Sequence, residues 1–320
     1  MKKKIYKIDD GVVPMEEATI RLMESAGFQF VPMPCRTRQD IIARCHDASA
    51  LIVMGETIDR EVIEGLPELK VVARCGVGVD RIDLAAATER GVQVTNVPDA
   101  NLEEVATHTL ALILALTRRL FAHDTAVRAG GWTGAVAAHP LRRPREQVLG
   151  LIGGGRIGFR VLEMAQAVGF QVLVNTLQPA DQERVRAAGA AVADFDEVIR
   201  QSDIVSLHVP LLPSTRGLLS DEAMGRMKQG GCLINVSRGG LVDELALLRH
   251  LDAGHLMGAA LDVFETEPLP AASPLVRCGK LILTPHIAYL SEDSNREVSR
   301  KAAGQAICVL RGLRPAYSVI

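Results

Sequence analysis

No excess of charge of either sign marks this chain: 36 basic against 38 acidic residues leave a formal net charge of −2, with a pI near 6.5. It offers no electrostatic footprint for nucleic acid or for an anionic membrane. Long apolar runs are also missing. The longest, around Leu110 to Leu116, falls far short of the roughly 20 residues needed to span a bilayer. The lysines at the start run into Ile5, Lys7, Ile8 and Asp9 rather than into the apolar stretch of a signal peptide. A cytoplasmic protein with no membrane and no nucleic-acid partner is expected. Cysteines never come in pairs: Cys35, Cys45, Cys75, Cys232, Cys278 and Cys308 stand singly, with no C-x-x-C and no nearby histidine at ligand spacing. Reduced thiols are expected, without a metal site or a disulfide framework.

What is present is a soluble, globular composition, 48% hydrophobic and 23% charged, in 320 residues, enough for two domains of ordinary size. Short apolar, β-branched runs alternate with helix-period segments almost throughout, as in parallel sheets covered by helices. Strands are expected at residues 4–8, 28–32, 50–54, 70–74 and 93–97. They resume at 147–152, 171–175, 190–193, 204–208, 232–236, 258–262 and 281–284. That is too many for one sheet of usual size, so the α/β fold is expected as two doubly wound parallel-sheet domains. One long helical stretch from Asn101 to about Arg128 should connect them. A tail helix from Ser291, its N-cap, to Arg311, stopped by Gly312, should return to the first domain and leave a cleft.

Within the middle of the chain, "VLGLIGGGRIG" places Gly153, Gly155 and Gly158 after a strand and before a helix, the context a dinucleotide loop requires. Gly153 permits the tight turn, Gly155 admits a pyrophosphate to the backbone, and Gly158 lets helix pack on strand. Arg156 and Ile157 open the helix, whose N-terminus offers free N–H groups and a positive dipole end. The acid that accepts the ribose 2′-hydroxyl in NAD enzymes is absent, because the second strand runs into Asn175-Thr176-Leu177. Thr176 can bond a hydroxyl without repelling a phosphate, so NAD and NADP both remain open.

Ligands of a doubly wound sheet sit beyond the carboxyl ends of its strands. The later strands end on His208, on Ser237-Arg238, on Asp262 with Glu267, and on His286. Hydride transfer to a 2-oxo acid needs a cation for the carboxylate, an acid/base for the oxygen and a carboxylate to orient the base. Arg238 suits the first with its planar fork. His286 suits the second, and Glu267 the third.

The blocks "ARCGVGVDRID", "GLIGGGRIG", "HVPLLPSTRGLLS", "INVSRGGLVDELALLRHL", "GAALDVFETEP" and "LTPHIAYLSEDS" resemble, in order and spacing, the signature blocks of the D-2-hydroxyacid dehydrogenase family, over nearly the whole chain. The resemblance implies a Rossmann dinucleotide-binding domain (residues 99–291) inserted in a flavodoxin-like substrate domain (residues 1–98 and 292–320), closing by a hinge. It implies Arg238, Glu267 and His286 as the catalytic set, and Gly76-Val77-Gly78 as the cradle of the substrate carboxylate, beside Met54 and Gly55. It implies Gly153, Gly155, Arg156, Ile157, Gly158, Thr176, His208, Val209, Pro210, Val236, Ser237, Asp262 and Ala288 around the cofactor, with Asp262 on the nicotinamide carboxamide. NAD leads NADP on family frequency alone. A homodimer is implied, in contact through Asn101 to roughly His139, with Trp132 at that interface.

Three departures matter. Thr176 stands where the family's acid falls, Ala288-Tyr289-Leu290 follow the histidine where many members have two glycines, and Met54-Gly55 stand where phosphoglycerate enzymes place Arg-Ser. The expected reaction is therefore reduction of a small 2-oxo acid such as glyoxylate or hydroxypyruvate. A phosphoglycerate dehydrogenase and a dinucleotide-responsive scaffold like the C-terminal-binding-protein corepressors are the alternatives.

Overall fold

A computed structural model describes residues 2–132 and 141–320. It divides into two compact units, one formed by residues up to Asn101 together with Leu290–Ile320, the other by Leu102–Tyr289. Of the expected interface segment, Asn101 to roughly His139, the part from 133 on lies outside the described residues.

The first unit holds five parallel strands: β1 (Lys4–Lys7), β2 (Gln29–Pro32), β3 (Ala48–Val53), β4 (Val71–Arg74) and β5 (Gln93–Thr95), in the order β2-β1-β3-β4-β5. This is the flavodoxin-like order, whose switch point lies between the first and third strands. Both faces are covered, so β3 is buried at every residue and reads as a continuous apolar run. On one face Ile41, Val62, Ile63 and Leu66 pack against Leu51 and Val72. On the other, the helix Glu292–Leu310 lays Val298, Ala302, Ala306 and Leu310 over Ile5, Ile52, Val71 and Ala73. Its N-cap is Ser291, whose hydroxyl accepts from the N–H of Ser294 at 2.9 Å, and Gly312 ends it with φ 74°.

The second unit holds seven parallel strands: β6 (Val148–Ile152), β7 (Gln171–Asn175), β8 (Ala191–Val192), β9 (Ile204–Leu207), β10 (Gly231–Asn235), β11 (Leu256–Leu261) and β12 (Leu281–Leu283). Their order, β12-β11-β10-β9-β6-β7-β8, is the dinucleotide-binding order with one strand added at an edge, reversing between β6 and β9. The helix Leu102–Thr117 packs on the helix Arg156–Val168, burying Ile113 and Leu116 with Val161, Leu162 and Ala165.

The single connecting helix expected to reach Arg128 is in fact two. It stops at Thr117 and restarts at Leu120 with a bend of 57°, because Arg119 takes a left-handed backbone at φ 52°. Nothing in "LTRRLF" announces this, since neither glycine nor proline stands there. No single helix among the described residues is long and apolar enough to cross a membrane.

Candidate active site

The polar strand ends of the second unit gather along the carboxyl edge of its sheet. At the β6/β9 switch point the chain leaves β6 through Gly153, φ 111°, whose N–H donates to Asn175 O at 2.8 Å. A Cβ on Gly153 would overlap the carbonyl oxygen of His208, and one on Gly158 the carbonyl oxygen of Gly153. On Gly154 it would stand 2.9 Å from Cβ of Thr176. Only Gly155 faces open space, with nothing within 4 Å of such a Cβ. The turn is thus closed against protein on three sides and open where the helix Arg156–Val168 presents its unbonded N–H groups. A pyrophosphate fits that opening, with the exposed Arg156 at the helix's first position and Ile157 beside it.

Thr176 is buried at the end of β7, whereas the next residue, Leu177, is 84% exposed. Arg184, which sequence reasoning missed, donates to Gly154 O at 2.9 Å and lies over the Phe159 ring at 4.3 Å, bracing the turn from outside. His208 follows β9, with Val209 and Pro210 after it. Its Nε2 lies 2.9 Å from Ser206 Oγ, and its Nδ1 is buried without a partner. Burial pushes this imidazole down to about 4, so the ring is neutral at pH 7.

After β10, Val236 is buried, and Asn235 holds the turn that carries Arg238. Asn235 Nδ2 donates to Arg238 O at 2.8 Å, its Oδ1 accepts from Ser237 N–H at 3.1 Å, and Ser237 Oγ donates to Leu207 O at 2.7 Å. Next to it, Gly239 packs so tightly that a Cβ would overlap the backbone of Phe264. That approach sets the Arg238 turn against the loop of Glu267.

Glu267 divides its carboxylate. Oε1 accepts from Phe264 N–H at 3.1 Å, and Oε2 lies 2.9 Å from His286 Nδ1. His286 has a left-handed backbone, φ 55°. Its N–H donates to Asp262 O at 2.7 Å, while its side chain is 38% exposed and meets the edge of Tyr289 at 6.3 Å between ring centres. With Nδ1 turned to Glu267, Nε2 is the nitrogen left to face a ligand.

Asp262, fully buried, ties this loop down. Oδ1 accepts from Thr284 Oγ1 at 2.6 Å and from Ile287 N–H at 2.9 Å, and Oδ2 from Ala288 N–H at 2.9 Å. Three of a carboxylate's roughly four acceptor positions are spent inside the protein, so Asp262 holds the histidine loop in place. His108 Nε2 adds a contact to Thr284 Oγ1 at 3.2 Å. Neither His108 nor Thr284 was singled out from sequence as a site residue, since 176 positions separate them.

In the first unit the Gly76-Val77-Gly78 turn follows β4. The N–H of Gly76, φ 127°, is already given to Arg74 O at 3.0 Å, which leaves those of Val77 and Gly78 to face a ligand. Asn96 Nδ2 holds Val77 O at 2.8 Å. Met54 and Gly55 follow β3 on the same sheet edge. Among the described residues no cluster of His, Cys, Asp or Glu could hold a metal ion.

Comparison with known proteins fits this arrangement. Residues 110–288 match the NAD-binding domain of the D-isomer specific 2-hydroxyacid dehydrogenases. The glyoxylate reductase of Thermofilum pendens is 36% identical over 282 residues, 87% of this chain and 83% of its own. The D-3-phosphoglycerate dehydrogenase of Archaeoglobus fulgidus is 34% identical over 302 residues, 94% of this chain but only 56% of its own, so the chain spans about half of that relative. The crystal structure of a glyoxylate reductase from Paecilomyes thermophila superimposes with a TM-score of 0.87 at 27% identity, covering 99% of this chain and 98% of that one. A glycine turn built for a dinucleotide, a carboxylate-held histidine on the same sheet edge and these likenesses lead to one conclusion: the chain belongs to the D-isomer specific 2-hydroxyacid dehydrogenases, nicotinamide-dependent oxidoreductases of the CH–OH group.

Proposed function

We propose that the protein reduces a small, unphosphorylated 2-oxo acid of the glyoxylate or hydroxypyruvate kind to its D-2-hydroxy acid. The observation that carries this reading is the 2.9 Å contact between Glu267 Oε2 and His286 Nδ1, which fixes a proton donor on the sheet edge that carries the dinucleotide turn. When bound, the reduced nicotinamide supplies the hydride. His286 gives a proton from Nε2 to the C2 oxygen, and Glu267 holds the ring in place and balances the imidazolium. Arg238 binds the substrate carboxylate and C2 oxygen through its fork. Met54, apolar and adaptable, suits a short hydrocarbon or hydroxymethyl end.

NADH and NADPH are both accepted, because Thr176 neither attracts nor repels a 2′-phosphate strongly; NADH leads because no cation stands at Leu177. The protein works in the cytoplasm as a homodimer. The test is kcat/KM for glyoxylate, hydroxypyruvate and 3-phosphohydroxypyruvate with each cofactor. Hydroxypyruvate should exceed its 3-phosphate, and a clear advantage for the phosphate restores the phosphoglycerate reading.

A further inference from the structure

The turn after β3 closes on itself in an unusual way. Backbone N–H groups of Met54 and Gly55 point the same way, a pair of donors of the kind that gathers anions at strand ends. Both are taken by one atom of the chain: Glu56 Oε2 accepts from Met54 N–H at 2.8 Å and from Gly55 N–H at 3.2 Å. Arg81 pins the turn from its other side, donating to Gly55 O at 2.8 Å. The half-buried Glu56 therefore lies over the carboxyl edge of β3, where an incoming anion would have to bind.

Its charge reaches the neighbouring strand. The thiol of Cys75 is pushed up to about 12 mainly by burial, with Asp9 and Glu56 raising it further and Lys7 and Arg74 lowering it. Lys7 and Asp9 pair with each other in the interior. Arg74 donates to Cys75 O and lies against Gly76, where a Cβ would overlap its guanidinium. The edge is polarised: a cation flanks the Gly76–Gly78 turn, and an anion occupies the Met54–Gly55 turn.

We propose that Glu56 is a specificity-determining residue, a built-in anion that fills the Met54–Gly55 donors and so rejects substrates whose far end is charged, phosphate above all. The proposal rests on the reading of Met54–Gly55 as the seat of the substrate's far end. A substrate with one carboxylate and a neutral tail meets the amides of the Gly76–Gly78 turn with one end and brings no charge to the other. A second anion meets a like charge in place of two donors, an arrangement that works against the wrong ligand rather than for the right one.

The experiment compares wild type, Glu56→Gln and Glu56→Ala on hydroxypyruvate and 3-phosphohydroxypyruvate. In Glu56→Ala the ratio of the two kcat/KM values should shift toward the phosphate by about tenfold or more, through KM. In Glu56→Gln, whose amide oxygen still accepts an N–H, the shift should be smaller but in the same direction. Calorimetric binding of 3-phosphoglycerate to the NAD+-loaded protein reads the same change without turnover, as a tighter Kd in the alanine variant. An unchanged ratio and Kd in both variants, or an equal loss on both substrates as expected of a residue that merely shapes the turn, overturns the proposal. Wild-type preference for the phosphate would instead overturn the substrate reading, and the variants would still decide the role of Glu56.

Discussion

At His286 the backbone accepts a left-handed conformation, φ 55°, that costs a residue with a side chain about 1–2 kcal/mol. Asp262 compensates, its carbonyl holding the N–H of His286 and its carboxylate the N–H groups of Ile287 and Ala288. The ring is thereby aimed before any ligand arrives. Replacing His286 with Ala should lower kcat on the order of 100-fold or more, and Glu267→Gln, which keeps the shape but not the charge, should lower it less; near-normal turnover in His286→Ala removes the histidine from the mechanism. His208 makes a prediction about stability. The unfolded chain takes up a proton at this imidazole near pH 6.5, while the folded one resists until about 4. Its contribution is therefore complete above pH 6.5 and declines as the pH falls toward 4. Urea midpoints between pH 7.5 and 4.5 should fall less steeply in His208→Gln than in wild type, and parallel curves would contradict the neutral, buried assignment.

Among the elements, the glycine turn separates two demands on one short stretch. Gly158→Ala forces a methyl into the carbonyl of Gly153 and Gly155→Ala forces it into nothing. The first should therefore destabilise the fold itself, by about 1–3 kcal/mol as overpacking does. The second should leave the melting temperature nearly alone and weaken NADH binding at least tenfold, since the methyl enters the space reserved for the pyrophosphate. Thermal melts with and without NADH distinguish the cases; equal Tm losses would mean that Gly155 also serves the fold. This turn was legible in the sequence because turn, close approach and packing each need glycine at a fixed offset. Arg238, Glu267 and His286 were legible because each follows a strand whose apolar run is plain. The break at Arg119 was not, since left-handed arginine leaves no compositional mark. Nor was the hold of Asp262 on the histidine loop, or that of Glu56 on Met54–Gly55, because a side chain's partner among backbone amides is set by tertiary geometry.

At the scale of the molecule, the helix Leu120–Arg128 buries none of its residues, and Leu120, Phe121 and Val127 are each at least half exposed, with Trp132 at 79%. Apolar surface of this kind is common at interaction sites, and the proposed homodimer would cover it with a second copy of the chain. Light scattering should give the mass of a dimer, and Phe121→Asp should shift it toward the monomer; a wild-type monomer at micromolar concentration would remove the assignment. The division of the chain has a consequence for synthesis. Residues Leu102–Tyr289 form one continuous unit, whereas the other is written in two pieces. Until the last piece leaves the ribosome, one face of the five-stranded sheet lacks the helix that covers Ile5, Ile52, Val71 and Ala73. The unit that is begun first is therefore finished last, and a released chain truncated near residue 290 should hold a protease-resistant second unit and a first unit still open to cleavage.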